Sequence, residues 1–521
     1  MAFFVVCMVS LLIISISSYV FQLLADCRRR LPPGPTPLPL IGNLLDVASG
    51  ELPHRCLARL AGRHGPLMTV RLGALVAVVA SSPPAARAVL QTHNGRLTGR
   101  TPPDAWLALG HAANSVFVLP PGRRWGALRR LGTEHLLSAR RLDGDRLRPL
   151  LRGAVADLAR RVSKEMMAAA GTVEVGRAAF AAVMELQWRA MFSAGLDDDA
   201  AARELHDAAR EAVALSLERN VSDFIPALAA ADLQGIRRGF GRRVAMVYQR
   251  IDEQVEQLMR GRREAAGGGG GGGSGEKDLL DVMLDMTSEQ GKDDGDVTVD
   301  RDVIRTFLTD IFLATVDTIA STIEWAMAEL LQHPDAMSKL QEELRSVLGS
   351  KAQQLVEYSD VDRLPYLRSV IRETLRLHPV VPLVPNVAEA TVEIHGHAVP
   401  KGCTVLVNLW AVHRDAAAWG PEPDRFVPER FLLRPPEEEA GFLGTTGFEF
   451  IPFSAGRRVC LGLQLATRMV HAMLGSLLLR FDWTLPREVK ENGGVDMSES
   501  LGLTMVMATP LRAIAKSVVS V

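Results

Sequence analysis

The sequence predicts a mainly helical fold with small β-sheets, carried on an N-terminal transmembrane anchor helix. Three features point there. Long stretches set apolar residues at helical spacing with few internal Pro or Gly, strand-like pieces are few and short, and the N-terminal run is apolar and uncharged. Hydrophobic residues make up 47% and charged residues 23% of the 521 positions, the balance of a packed globular chain. The formal net charge of −1 gives no global field for nucleic acid, and none is expected as a partner.

Residues 2–24 contain no Asp, Glu, Lys or Arg, enough chain for a helix to cross the ~30 Å of a bilayer's hydrocarbon. Arg28, Arg29 and Arg30 follow the run, which keeps that end on the cytosolic side. A cleaved signal peptide carries its positive charge before the apolar run, so a retained anchor is expected over residues 1–25. Residues 26–40 read as a basic, Pro-rich hinge, because Pro32-Pro33-Gly34-Pro35 can neither continue a helix nor pair in a sheet.

Residues 41–521 are expected to form one domain. Helical spacing runs through 146–170, 200–218, 240–263, 301–332, 335–348 and 462–480, and strands are expected at 67–72, 76–80, 391–395 and 404–408. Within 264–278 lie seven consecutive glycines, 267–273, which read as a mobile surface loop. Motifs on both sides of it belong together, so it is read as a loop inside the domain.

The five cysteines are Cys7, Cys27, Cys56, Cys403 and Cys460. They form no CxxC and no close Cys/His pairing, which argues against disulfides and structural zinc. Cys460 stands apart, in the loop Pro-Phe-Ser-Ala-Gly-Arg-Arg-Val-Cys-Leu-Gly of residues 452–462. A thiolate is a soft ligand suited to iron. Gly456 and Gly462 let backbone amides approach the sulfur, and the helix from Leu463 points its positive end at it. Phe453 is placed to shield the sulfur, and Arg458 to pair with a cofactor carboxylate. A lone buried cysteine is ordinarily just a small hydrophobe; the spacing FxxGxRxCxG makes it more than that.

That spacing resembles the heme-ligand signature of the cytochrome P-450 family. Other stretches match as well. Glu373 and Arg376 form an ExxR pair on one helix face, and Pro428-Glu429-Arg430-Phe431 matches the PERF segment. The resemblance implies a structural triad of Glu373, Arg376 and Arg430 that locks the cysteine loop. It implies a heme b cofactor between two central helices with Cys460 as the metal ligand, and Trp125 and Arg129 (WxxxR) at a heme propionate. On the oxygen helix the family pattern aligns with Ala314, Thr315, Val316, Asp317, Thr318 and Ile319. Thr318 and Asp317 form the acid–alcohol pair that handles dioxygen and its protons. Thr315 and Ile319 depart from the pattern, replacing a glycine and a hydroxyl residue; Thr315 has a hydroxyl able to bond the carbonyl one turn back and bend the helix. Ser454 and Asn386 depart too, from a usual glycine and a usual Arg or His.

The family chemistry implied is monooxygenation with dioxygen. The sequence offers no flavin or nicotinamide motif, so electrons come from a partner. By resemblance that partner is the NADPH-cytochrome P-450 reductase, docked on Arg123, Arg124, Arg130 and Arg457, with the enzyme single-pass in the endoplasmic reticulum membrane, in contact with lipid, and its catalytic domain facing the cytosol. Regions that line family pockets are apolar here and include Trp106, Phe117, Phe312, Leu313, Val381, Leu383 and Leu501. Together with the stretches 100–111 and 497–505 they resemble plant geraniol 8-hydroxylase-like enzymes, which implies a hydrophobic mono- or diterpenoid substrate. A flavonoid or other phenolic is the alternative. A reductase-independent isomerase or dehydratase fits less well, because the acid–alcohol pair is kept and the cysteine loop has no insertion; a heme protein without turnover, with the oxygen site closed by Thr315, is the remaining alternative.

Overall fold

The structure, a computed structural model, describes residues 17, 19, 30–47, 50–168, 171–195, 199–216, 218–267, 277–288, 299–349, 355–434, 444–502 and 504–518. The expected anchor, apart from Ser17 and Tyr19, its flank Arg28-Arg29, and most of the glycine run lie outside the described residues. Among the described residues no helix is long and apolar enough to cross a membrane.

Eleven α-helices of ten residues or more are described. They are α1 (Pro53–His64), α2 (Arg123–Gly132), α3 (Leu147–Ala168), α4 (Val175–Phe192), α5 (Asp199–Ser216), α6 (Ile236–Gly267), α7 (Leu279–Ser288), α8 (Arg301–Gln332), α9 (Pro334–Leu348), α10 (Pro365–Leu377) and α11 (Leu463–Arg480). The centre is α8, which the sequence bounds at both ends. Asp300 caps it by accepting the Val303 N–H at 2.8 Å. Pro334 stops it, since the residue before a proline is pushed out of the helical region. Most of α8 is buried, packed against α4 on one side and α10 and α11 on others. One apolar cluster runs from α2 to α11 and takes Val255 and Leu279 from either side of the glycine run.

Helical spacing failed to mark α4, which is buried on nearly every face and so lacks the apolar–polar alternation that marks a surface helix. It also began α6 four residues late, past Gly239, and carried Gly241 inside. A Cβ on Gly241 would stand 3.1 Å from that of Ala108, so this glycine serves close packing on the segment Asp104–Ala113.

The strands are β1 (Leu67–Leu72), β2 (Leu75–Ala80), β3 (Thr172–Glu174), β4 (Leu383–Val387), β5 (Val392–Ile394), β6 (His397–Val399), β7 (Thr404–Asn408), β8 (Phe481–Thr484), β9 (Glu499–Leu501), β10 (Met505–Met507) and β11 (Arg512–Ser517). The largest sheet has the order β1-β2-β7-β4, with β2 and β7 parallel and the outer pairs antiparallel. A bridge from Val387 to Gly99, N to O 2.7 Å, brings the stretch after Leu97 beside β4. The β9–β10 hairpin lies against α8.

Candidate active site

Cys460 ends the loop that leads into α11. Its N–H donates to the Phe453 carbonyl at 3.1 Å, and its sulfur takes hydrogen bonds from the backbone of Gly462 and Leu463 at the head of the helix. Burial pushes the thiol's pKa up, while those N–H groups and Arg129 act the other way. The residue nevertheless keeps accessible surface. A side chain crowded by protein yet exposed borders open space, a chamber beside the sulfur.

The two loop glycines have different reasons. Gly456 sits at φ +73, and a Cβ there would meet the Leu90 carbonyl oxygen at 2.2 Å, so packing and backbone require it, not access to the sulfur as expected from sequence. A Cβ on Gly462 meets no atom within 4 Å, which leaves the space beside the sulfur open. Ser454 occupies φ +60, which explains why glycine suits that place: a left-handed residue with a side chain costs about 1–2 kcal/mol.

Beside the chamber three arginines crowd together. Arg458 gives its guanidinium to the carbonyls of Thr98, Val116, Phe117 and Leu119, Arg129 reaches the Val459 carbonyl at 2.8 Å, and Arg100 reaches that of Phe117 at 3.2 Å. Burial first, then mutual repulsion, pushes Arg458 down to about 9 and Arg100 down to about 10. The Trp125 ring forms a platform beneath the charges of Arg458, Arg129 and Arg457, at 4.8, 5.3 and 5.6 Å. Its indole N–H is committed to the Val116 carbonyl at 3.1 Å. Nε of Arg100 and Nδ2 of buried Asn386 have no hydrogen-bond partner among the described residues.

Buried and half-buried cations pressed together, with donors left over, fit an anionic group, and the soft sulfur fits iron. The residues therefore fit a heme, whose carboxylates Arg100, Arg129, Arg458 and Asn386 would hold. Arg100 was not singled out from sequence, because an Arg-Thr-Pro-Pro stretch reads as an ordinary loop. Of the arginines expected to face a partner, Arg123, Arg130 and Arg457 are exposed, while Arg124 hydrogen-bonds Asn114.

On α8, otherwise buried around this point, Ala314, Thr315, Asp317 and Thr318 keep accessible surface and Ile319 does not. Thr315 donates to the Ile311 carbonyl and Thr318 to that of Ala314, both at 2.8 Å. The helix runs unbroken through both. Each hydroxyl spends its proton on the backbone and keeps oxygen lone pairs for another donor.

Behind the loop, Glu373 receives Arg376 at 2.7 and 2.8 Å and the Val427 N–H at 2.9 Å, with Arg430 3.5 Å away. Arg376 also donates to the His413 carbonyl at 3.0 Å, and the His413 ring accepts the Ile451 N–H at 3.0 Å, just ahead of the cysteine loop. Burial, then Arg376 and Arg414, pushes His413 down to about 3, which keeps the accepting nitrogen free of a proton.

The expected pocket residues divide. Phe117, Leu383 and Leu501 are half-buried, and Val381 is 38% exposed. Trp106 stacks on Phe240 at 6.3 Å, and Leu313 is buried. Phe312 is 1% exposed and meets Trp188 of α4 edge-on at 6.1 Å; it belongs to helix packing, because on a helix buried all round an apolar residue does not mark a pocket.

Sequence reasoning missed a buried relay. His111 bonds Tyr248 at 2.7 Å and Asp310 at 3.0 Å, Asp310 takes the Val116 N–H at 2.8 Å, and Tyr248 meets Thr306 at 3.0 Å. It pins the segment carrying Trp106 and Phe117 to α6 and α8. No spacing signals it, since its members are far apart in the chain. His111→Phe removes both ring bonds, a loss of about 1–3 kcal/mol, so amides of 104–119 should exchange with solvent roughly 5- to 150-fold faster. Hydrogen-exchange mass spectrometry reads this directly.

Residues 32–507 match the family model described as cytochrome P450. The chain is 40% identical over 494 residues to a geraniol 8-hydroxylase of Swertia mussotii, covering 94% of each chain. It is 39% identical over 512 residues to ent-cassadiene C11-alpha-hydroxylase 1 of Oryza sativa subsp. japonica, covering 96% of this chain and 97% of that one. Its fold is similar to a zebra fish cytochrome P450 solved with progesterone, with a TM-score of 0.73 and 24% identity over 90% of this chain and 100% of that one.

Proposed function

The chain belongs to the cytochrome P450 family, and from that premise we propose that it hydroxylates a hydrophobic mono- or diterpenoid of plant specialised metabolism at an unactivated carbon. It is a monooxygenase whose heme iron takes the Cys460 thiolate. When bound, the heme supplies activation of dioxygen: one oxygen atom enters a C–H bond to give an alcohol, the other leaves as water, and two electrons and two protons are consumed.

The chain's own residues do the rest. Cys460 holds the iron, with the Gly462 and Leu463 N–H groups tempering the sulfur's charge. Arg100, Arg129 and Arg458 hold the heme carboxylates. Thr318, whose oxygen keeps lone pairs beyond its bond to Ala314, would hydrogen-bond the dioxygen, and Asp317 would bring protons toward it. Thr315 keeps its hydroxyl tied to Ile311 and stands where it limits how closely substrate approaches α8. Phe117, Leu383 and Leu501 present apolar surface to the substrate.

Electrons come from the membrane-bound NADPH-cytochrome P450 reductase, met by the exposed Arg123, Arg130 and Arg457. The apolar run at 2–24 followed by three arginines supports an anchor in the endoplasmic reticulum membrane with the catalytic domain in the cytosol. The observation that carries the oxygenase reading is the pairing of an exposed thiol with a cluster of buried and half-buried arginines whose guanidinium groups bond backbone carbonyls. The terpenoid reading is supported by relatives named for geraniol and ent-cassadiene.

Co-expression with a plant reductase, fed a panel of terpenes, terpenols and phenolics and read by mass spectrometry, tests it. A product heavier by one oxygen from a terpenoid is expected. Product from phenolics alone overturns the substrate assignment, and product without NADPH overturns the reductase dependence.

A further inference from the structure

Asp317 and Thr318 are neighbours in sequence, but successive side chains on a helix leave it about 100° apart. Thr318 turns to the Ala314 carbonyl, whereas the Asp317 carboxylate is held from outside its helix: the hydroxyl of Thr504 donates to Oδ2. Thr504 is buried and lies between β9 and β10, directly before Met505, whose partner in the hairpin is Leu501.

The hairpin is strapped to α8 a second time, two turns further on, where the Trp325 indole donates to the Met505 carbonyl at 3.2 Å. The Met505 N–H in turn donates to the Val380 carbonyl at 2.8 Å, tying in the stretch that continues into β4. Thr504 is also β-branched, and its side chain has few rotamers to explore. The hydroxyl is thus fixed at both backbone and side chain.

We propose that Thr504 is a positioning residue for proton delivery: it holds the Asp317 carboxylate against the β9–β10 hairpin, so the hairpin that presents Leu501 to substrate also sets where the proton donor stands. This rests on the reading of Asp317 as the proton-delivering acid. A hydroxyl donor favours the ionised carboxylate. The other charged groups bearing on Asp317 are Arg210 of α5, which also favours ionisation, and Glu324 of α8, whose charge opposes it. Burial pushes the Asp317 carboxyl up, and Thr504 is the hydrogen bond working against that. A substrate that displaces the hairpin tip shifts the acid with it. When the donor is misplaced, the two electrons and two protons leave with dioxygen as hydrogen peroxide, and no alcohol forms.

The test uses the full-length heme-loaded enzyme with Thr504→Val, Thr504→Ser, Asp317→Asn and Thr318→Ala. Ionisation of Asp317 is read without substrate, as the pH-dependent carboxyl band in infrared difference spectra that Asp317→Asn abolishes. In Thr504→Val its midpoint should rise by roughly half to one pH unit, and Thr504→Ser should restore it. Hydrogen peroxide released per NADPH, measured with reductase, should rise several-fold in Thr504→Val toward the Thr318→Ala level and fall back in Thr504→Ser, with heme content unchanged. A midpoint that stays put in Thr504→Val overturns the proposal. Intact coupling in Asp317→Asn, with the midpoint moving as expected, overturns the proton-delivery reading of Asp317 and leaves the Thr504 contact standing.

Discussion

Cys460→Ala should purify with no thiolate-ligated heme: the reduced protein under carbon monoxide lacks the red-shifted band that a sulfur–iron bond produces, and substrate oxidation with reductase falls to background. The sulfur is the one soft ligand at the chamber, and among the described residues no group of three His, Cys, Asp or Glu is placed to hold a metal instead. Alanine fits the backbone at 460, so the loop itself stays. Arg100, Arg129 and Arg458 remain to attract the heme carboxylates, and some heme should therefore copurify without its sulfur bond. That separates retention from ligation. Arg458→Leu is the converse case. It leaves the sulfur in place and removes four hydrogen bonds to backbone carbonyls, so ligation persists in whatever heme is retained while the heme-to-protein ratio falls. A thiolate band in Cys460→Ala would remove the basis of the oxygenase reading.

Legibility in the sequence followed local chemistry. The loop from Phe453 to Gly462 could be singled out because its spacing is contiguous in the chain, although Gly456 and Arg458 act on Leu90, Thr98 and Leu119 far away in sequence, and the helical spacing at 301–332 matches α8, which lies between Asp300 and Pro334. The functions of Arg100, His111, His413 and Thr504 were not legible. Each makes its contact across 17 to 199 residues, and each looks ordinary among its sequence neighbours. The helix α4 was missed for a physical reason of the same kind, since it is buried except for a narrow stripe through Arg177, Glu185 and Arg189, which leaves only a faint period. Phe312 shows the reverse error: its apolar character was visible, but whether that surface met substrate or Trp188 was a matter of tertiary packing.

Breaking the pair behind the cysteine loop should come close to abolishing the holoenzyme. Glu373 and Arg376 are both fully buried, and Arg376 alone ties α10 to the carbonyls of His413, Pro423 and Arg425. Arg430 adds bonds to the carbonyls of Trp419 and Glu422. Through His413 and Ile451 this cluster reaches the heme-binding loop. Glu373→Gln leaves the Arg376 charge in the interior without its counter-ion, a loss of about 3–5 kcal/mol, which lowers the folded-to-unfolded ratio roughly 150- to 5,000-fold. Against a total stability of about 5–15 kcal/mol, that is a large share. Heme per protein and the half-life of the thiolate band at fixed temperature are the readouts, because unfolding of such a protein is judged by its rate. The double variant Glu373→Leu, Arg376→Leu removes both charges and should lose less than the two single Leu variants together, since neither ion is then stranded. Losses that simply add would mean the two residues act independently, and the cluster would then be a set of separate backbone ties rather than one lock on the loop.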